Sequence, residues 1–250
     1  MTQLSAAVRS DLAPTGTLRA GINYGNAILA TKDPATGQSR GVAIDLTNEL
    51  ARRLGVPVEL VAYHSVATMV DAAKAGAWDI AFCGADPARA GEISFTAAYL
   101  ELEATYLVPA GSPLRTVADV DREGVRVAAP ARAAYELFLA RELKRAQLVR
   151  TPTAEAGFDL LRTGQVEALS GLRQALFTLA DTLPGSRMID GRFFAVQQAI
   201  GMPVGRDAGV QYLHGFVEEA KASGLVARAI EKTGFRGVAV APMAPARSPS

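Results

Sequence analysis

The strongest constraint in this chain is a strand–helix rhythm that runs twice, each strand closing on a glycine or a short loop. The pattern predicts strands over 18–22, 58–63 and 79–83, the first and third ending near Gly21 and Gly84. Between them lie helices near 45–54, where Leu46, Leu50 and Leu54 recur every four residues, and near 66–75. The rhythm then restarts. Strands are expected over 105–108, 125–129 and 148–150, then at the segment 165–169 and over 193–200. Helices are expected near 133–147, 154–163, 173–183, 207–222 and 226–232. Two successive βαβ series within 250 residues point to two α/β lobes with largely parallel sheets. Ligands of such sheets bind outside the carboxyl ends of the strands. The opening dozen residues read as a loosely held lead, and the Pro/Ala/Ser-rich stretch 241–250 as a mobile tail.

Composition removes several kinds of chemistry. With 26 basic against 25 acidic side chains the net charge is +1, which gives no global attraction to nucleic acid or anionic lipid. One cysteine, Cys83, excludes an internal disulfide, and two histidines, His64 and His214, leave little for a metal site or a His relay. No cofactor and no metal are expected. No apolar run reaches the length of a membrane span, so no direct membrane insertion is expected. The first residues lack the apolar core of a secretory signal, so the chain is expected to be cytoplasmic if this is its full native length.

Four stretches carry a family resemblance: Gly16-Thr17-Leu18-Arg19-Ala20-Gly21-Ile22, Gly41-Val42-Ala43-Ile44-Asp45-Leu46, Trp78-Asp79-Ile80-Ala81-Phe82, and Asp86-Pro87-Ala88-Arg89 leading into Glu92-Ile93-Ser94-Phe95-Thr96-Ala97-Ala98-Tyr99. In this order they resemble the type II periplasmic solute-binding proteins, specifically the family serving polar amino-acid ABC transporters. Looser agreement at 123–128, 161–168 and 216–224 extends the match from about residue 15 to residue 240. The resemblance implies a two-lobed α/β Venus-flytrap with mostly parallel sheets. One lobe would comprise 1–103 plus 198–250 and the other 104–197, joined by hinge crossovers near 101–105 and 196–199. It also implies a monomeric, non-enzymatic, periplasmic protein that closes on a small carboxylate-bearing ligand, with ABC-transporter membrane subunits as partners.

Arg89 is the residue that the resemblance assigns to the ligand carboxylate. A guanidinium suits this because its planar fork makes two parallel hydrogen bonds and stays charged. The alternative is a surface arginine paired with Glu92. Departures accompany it. Gly84 leads almost directly into Asp86-Pro87, and Pro87 has no N–H to donate. In the second lobe, Arg132 and Ala133 stand where the family offers a hydroxyl and free amides at a helix start. After the segment 166–168 the family's acidic residue is replaced by Ser170 and Arg173, which favours an acidic ligand over a plain α-amino acid. Arg173 as an ion-pairing helix residue fits equally well. Asn23, Tyr24 and Asn26 form the loop after the first strand, as polar contacts and an aromatic wall or as ordinary turn residues. Glu101 and Glu103, alternating with Leu102 at the first crossover, and Gln197 and Gln198 on the return could meet a ligand or be merely solvated, with Glu103 and Gln198 favoured to face it.

Two other functions stay open at this level: a lyase or dehydratase on the same fold, with Glu103 or Glu167 as its acid or base, and a cytoplasmic ligand-sensing module. Cys83, Trp78 and Phe82 read as core.

Overall fold

The computed structural model describes residues 4–235 and 238–245. It is an α/β protein of two units. The first holds Met1–His64, Thr68–Glu101 and Gln197–Ser250; the second holds Ser65–Ala67 and Leu102–Val196.

In the first unit, β1 (Leu18–Asn23), β4 (Val58–Tyr63) and β5 (Ile80–Gly84) run parallel, with β1 in the middle. Strand β12 (Phe194–Pro203) returns antiparallel to β5, setting Gln198 opposite Gly84 and Ala199 opposite Cys83. Short strand β6 (Ile93–Phe95) pairs with the far end of β12. A two-residue hairpin, β2 (Thr31–Lys32) with β3 (Ser39–Arg40), stands apart. The sequence pattern marks a strand over 193–200 but none over 93–95, and it leaves the antiparallel direction of β12 open because direction is set by chain return and not by side-chain pattern.

Helix α2 (Val42–Leu54) begins three residues before the expected start and buries Leu46, Leu50 and Leu54. Its preceding residue, Gly41, sits at φ 134°, and a Cβ there would overlap the Leu29 carbonyl. Only glycine fits this position. Trp78 and Phe82 are buried in the same core, with Trp78 Nε1 donating to the Met69 carbonyl at 2.8 Å. Each such side chain contributes roughly 1.5–3 kcal/mol by leaving water. Helix α3 (Val66–Asp71) is shorter than its expected span to residue 75.

The opening segment is not a loose lead. Ser5 caps helix α1 (Ala6–Leu12) by accepting from the Val8 amide, Leu12 is fully buried, and α1 packs on α7 (Asp207–Ala222). Asp11 completes the contact by accepting from the Gly209 amide at 2.9 Å. The start of the tail is also held. Ala241 donates to the Tyr99 carbonyl, and Lys221 Nζ to the Pro242 carbonyl at 2.8 Å. Residues 246–250 of that stretch lie outside the described residues. Helix α8 (Leu225–Thr233) packs on both α2 and α7, and β13 (Ala239–Val240) pairs with the first residues of β7 (Leu100–Val108).

In the second unit β7 runs antiparallel to β10 (Ala168–Leu172), and β10, β8 (Arg126–Pro130) and β9 (Gln147–Thr151) are parallel. Strand β11 (Arg187–Met188) pairs with the outer side of β7. One core face gathers Tyr106, Val127, Leu139 and Ile189; the other gathers Leu107, Leu161, Leu169 and Leu176. Helices α4 (Ala134–Glu142), α5 (Ala154–Arg162) and α6 (Arg173–Ala180) supply the covers. Helix α4 stops five residues before its expected end. The Asp121 carboxylate accepts from the amides of Lys144, Arg145 and Ala146, so that stretch curls over Asp121 in place of continuing the helix.

Among the described residues no helix is long and apolar enough to cross a membrane, and no group of three or more His, Cys, Asp or Glu side chains could hold a metal ion.

One buried ion cluster fixes the first unit. Asp79, fully buried, accepts from the Arg19 backbone amide and from Nε and Nη2 of the Arg19 guanidinium, and pairs with Arg206 at 3.1 Å. Removing one partner of a buried ion pair strands the remaining charges. Asp79→Asn should therefore lower unfolding stability by about 3 kcal/mol, read from urea midpoints. Acid should act through Glu49, whose carboxyl is held down to about 2 by its hydrogen bond to Arg52, against partial desolvation, with Arg53 assisting. Its folded-state value lies below the ordinary 4.5, so this stabilisation is full above that pH and is lost as pH falls toward 2. The midpoint difference between wild type and Glu49→Gln should be widest near neutrality and close under acid.

Candidate functional site

The parallel strands of the first unit bring their carboxyl ends to one edge, and the loops beyond that edge carry the candidate residues. After β1, Asn23 and Asn26 turn the chain: Asn23 Oδ1 accepts from the Gly25 amide at 3.0 Å and Asn26 Oδ1 from the Ile28 amide at 3.2 Å. The Tyr24 amide donates to the Tyr63 carbonyl, which continues the β1–β4 ladder, and its hydroxyl meets Ser39 Oγ at 2.6 Å. Gly25 is needed here because a Cβ would lie 2.6 Å from the His64 carbonyl oxygen. The two asparagine oxygens thus shape the loop, while Tyr24 is braced by the β2–β3 hairpin.

After β5, Asp86 caps a single 3-10 turn, Pro87–Arg89, by accepting from the Ala88 amide at 2.9 Å. The missing N–H of Pro87 costs nothing at this first position of the turn. The turn folds Arg89 back beneath the strand end. Its guanidinium donates to the Gly84 carbonyl at 2.5 Å and is only 3% exposed, so the surface-arginine alternative does not describe it. Glu92, the partner in that alternative, pairs with Lys74 at 2.9 Å. Cys83 lies against the same guanidinium: burial pushes its thiol up, and Arg89 pulls it part of the way back. Gln198 is placed across from Gly84 by β12, is 4% exposed, and its Oε1 is buried with no hydrogen-bond partner. That absence holds among the described residues, while its neighbour Gln197 donates to Glu101 Oε1 at 2.9 Å.

In the second unit the candidates lie at the carboxyl ends of β8 and β10. Arg132, just after β8, takes φ 61°, the left-handed conformation rare for a residue with a Cβ. Ala133 precedes α4 as its cap residue and supplies no side-chain oxygen. The head of this helix holds an anion of its own. Glu136, 1% exposed, accepts from the Arg132 amide at 2.9 Å through Oε2 and from Arg150 Nε at 2.8 Å through Oε1. The sequence reading missed Glu136 and Arg150; an acid in the first turn of a helix was the available signal.

Ser170 is fully buried and donates to the Ala128 carbonyl at 2.9 Å, joining β10 to β8. Arg173 donates to Glu103 Oε2 at 2.8 Å and to the Gly191 carbonyl, which is the ion-pairing alternative set out for it above. Glu103 also faces Arg192 at 3.6 Å. Glu167, the other acid considered, is turned onto the Arg126 amide and guanidinium.

No curated protein matches the chain. Its fold is similar to several solved structures. A structure of the solute receptors for L-cysteine of Neisseria gonorrhoeae gives a TM-score of 0.77 at 21% identity, covering 92% of this chain and 93% of that one. A mutant of ArgBP from T. maritima gives 0.76 at 19% identity, over 91% and 99%. An ancestral amino-acid-binding protein, described as a precursor of cyclohexadienyl dehydratase, gives 0.74 at 22% identity, over 91% and 99%. The family model of the bacterial extracellular solute-binding proteins, family 3, matches residues 18–234. With more than four-fifths of its length inside that match and the type II periplasmic-binding-protein fold, the chain belongs to the bacterial extracellular solute-binding proteins, family 3.

Proposed function

We propose that this protein captures a small carboxylate-bearing solute, an amino acid or a related organic acid, and hands it to the membrane subunits of an ABC-type uptake system outside the cytoplasm, without chemical conversion. The observation that carries the reading is Arg89: a guanidinium buried at the carboxyl edge of β5, aimed by a capped 3-10 turn and steadied by the Gly84 carbonyl. In such a low-dielectric place a bidentate carboxylate contact is strong, and five N–H donors in one fork allow the group to be shared between a backbone carbonyl and an anion. Family membership supports transport, as do similar folds described as the substrate-binding protein of an amino acid ABC transporter and as a binding component complexed with lysine.

The acids that a lyase on this fold would use support binding over turnover. Glu103 is matched with Arg173 and Arg192, and Glu167 with Arg126, so neither is poised to move a proton. Within the candidate set, Asn23, Tyr24, Asn26, Gly84, Arg89 and Gln198 form the first unit's share. Arg132, Ala133, Ser170, Arg173 and Glu103 belong to the second unit.

Native mass spectrometry of freshly purified protein should reveal a co-purified small acid. Arg89→Ala should weaken carboxylate binding by about 2–5 kcal/mol, thirtyfold or more in Kd, by titration calorimetry on protein whose thermal unfolding is still cooperative. Undiminished heat in that variant would remove Arg89 from the site.

A further inference from the structure

We infer that the solute carries an uncharged hydrogen-bond donor beside its carboxylate, a hydroxyl in place of an ammonium, and that Gln198 reads it. This rests on the carboxylate reading of Arg89 and adds the identity of the second group. The first observation is Gln198 Oε1, an acceptor buried without a partner on a residue that β12 sets directly across from Gly84, whose carbonyl holds Arg89. A buried orphan acceptor calls for a donor, since leaving it unmade costs the desolvation of that group. The second observation is the state of the carboxylates that an ammonium would need. Asp86 is turned onto its own 3-10 turn and Glu101 onto Gln197.

Physical chemistry then separates the two donors. An ammonium moved from water to a neutral carboxamide loses far more hydration than the single acceptor returns, whereas a hydroxyl gives up little and satisfies the orphan. The recognised unit is therefore an α-hydroxy acid: carboxylate on Arg89, hydroxyl on Gln198.

Three matched series test this by calorimetry: lactate, alanine and propionate; malate, aspartate and succinate; phenyllactate, phenylalanine and phenylpropionate. In at least one series the wild-type protein should bind the hydroxy acid roughly tenfold more tightly than the unsubstituted acid, about what one buried hydrogen bond contributes, with the amino acid weakest. Gln198→Met, neutral and similar in size, should erase the hydroxy acid's advantage over the unsubstituted acid. The wild-type ranking needs no variant, so the proposal survives a misfolded Gln198→Met. An amino acid bound more tightly than its hydroxy partner, or an advantage that persists in Gln198→Met, overturns the inference and leaves the carboxylate reading standing. If no acid in any series binds, the carboxylate reading falls and this inference with it.

Discussion

The buried Asp79 carboxylate is the point from which the first unit is built. It sits at the start of β5, grips the backbone and side chain of Arg19 at the start of β1, and reaches Arg206 at the head of α7. Arg206 in turn donates to the Asp11 carbonyl, so four segments distant in sequence meet on one charge. Such a cluster contributes less to net stability than to uniqueness, because the buried carboxylate has lost its water and accepts few substitutes. Its effect is geometric: fixing where β1 and β5 begin fixes which residues emerge together at their far ends. The Asn23 loop and the Arg89 turn share an edge for that reason.

Charge matching is the second theme. Basic and acidic residues are nearly equal in number, and the acids of the candidate region follow suit. Glu103, Glu136 and Glu167 are each met by an arginine, and Glu136 also receives the amide ahead of α4 where an external anion would otherwise dock. At the edge of the first unit the Arg89 guanidinium is likewise held, by the Gly84 carbonyl.

Much of this was legible in the sequence. The βα rhythm, the leucines of α2 and the bounds of α7 follow from periodicity and flanking glycines. What stayed hidden was long-range. Arg173 and Glu103 are 70 residues apart, so pattern alone could not choose between an ion pair and a ligand contact. Ser170 looked available because a strand-end hydroxyl carries no mark of the carbonyl it will meet. Helix α4 ended early through the Asp121 carboxylate, more than twenty residues upstream. The opening helix was overlooked because seven residues make a weak periodic signal, though Ser5 before them was a usable cap.

Cys83 is the chain's only sulfhydryl, and it lies beneath the Arg89 guanidinium, sealed from solvent. Alkylating reagents can reach it only when the edge breathes, so its labelling rate is a built-in clock for local opening, requiring no engineered probe. A solute that settles on the arginine would slow that clock.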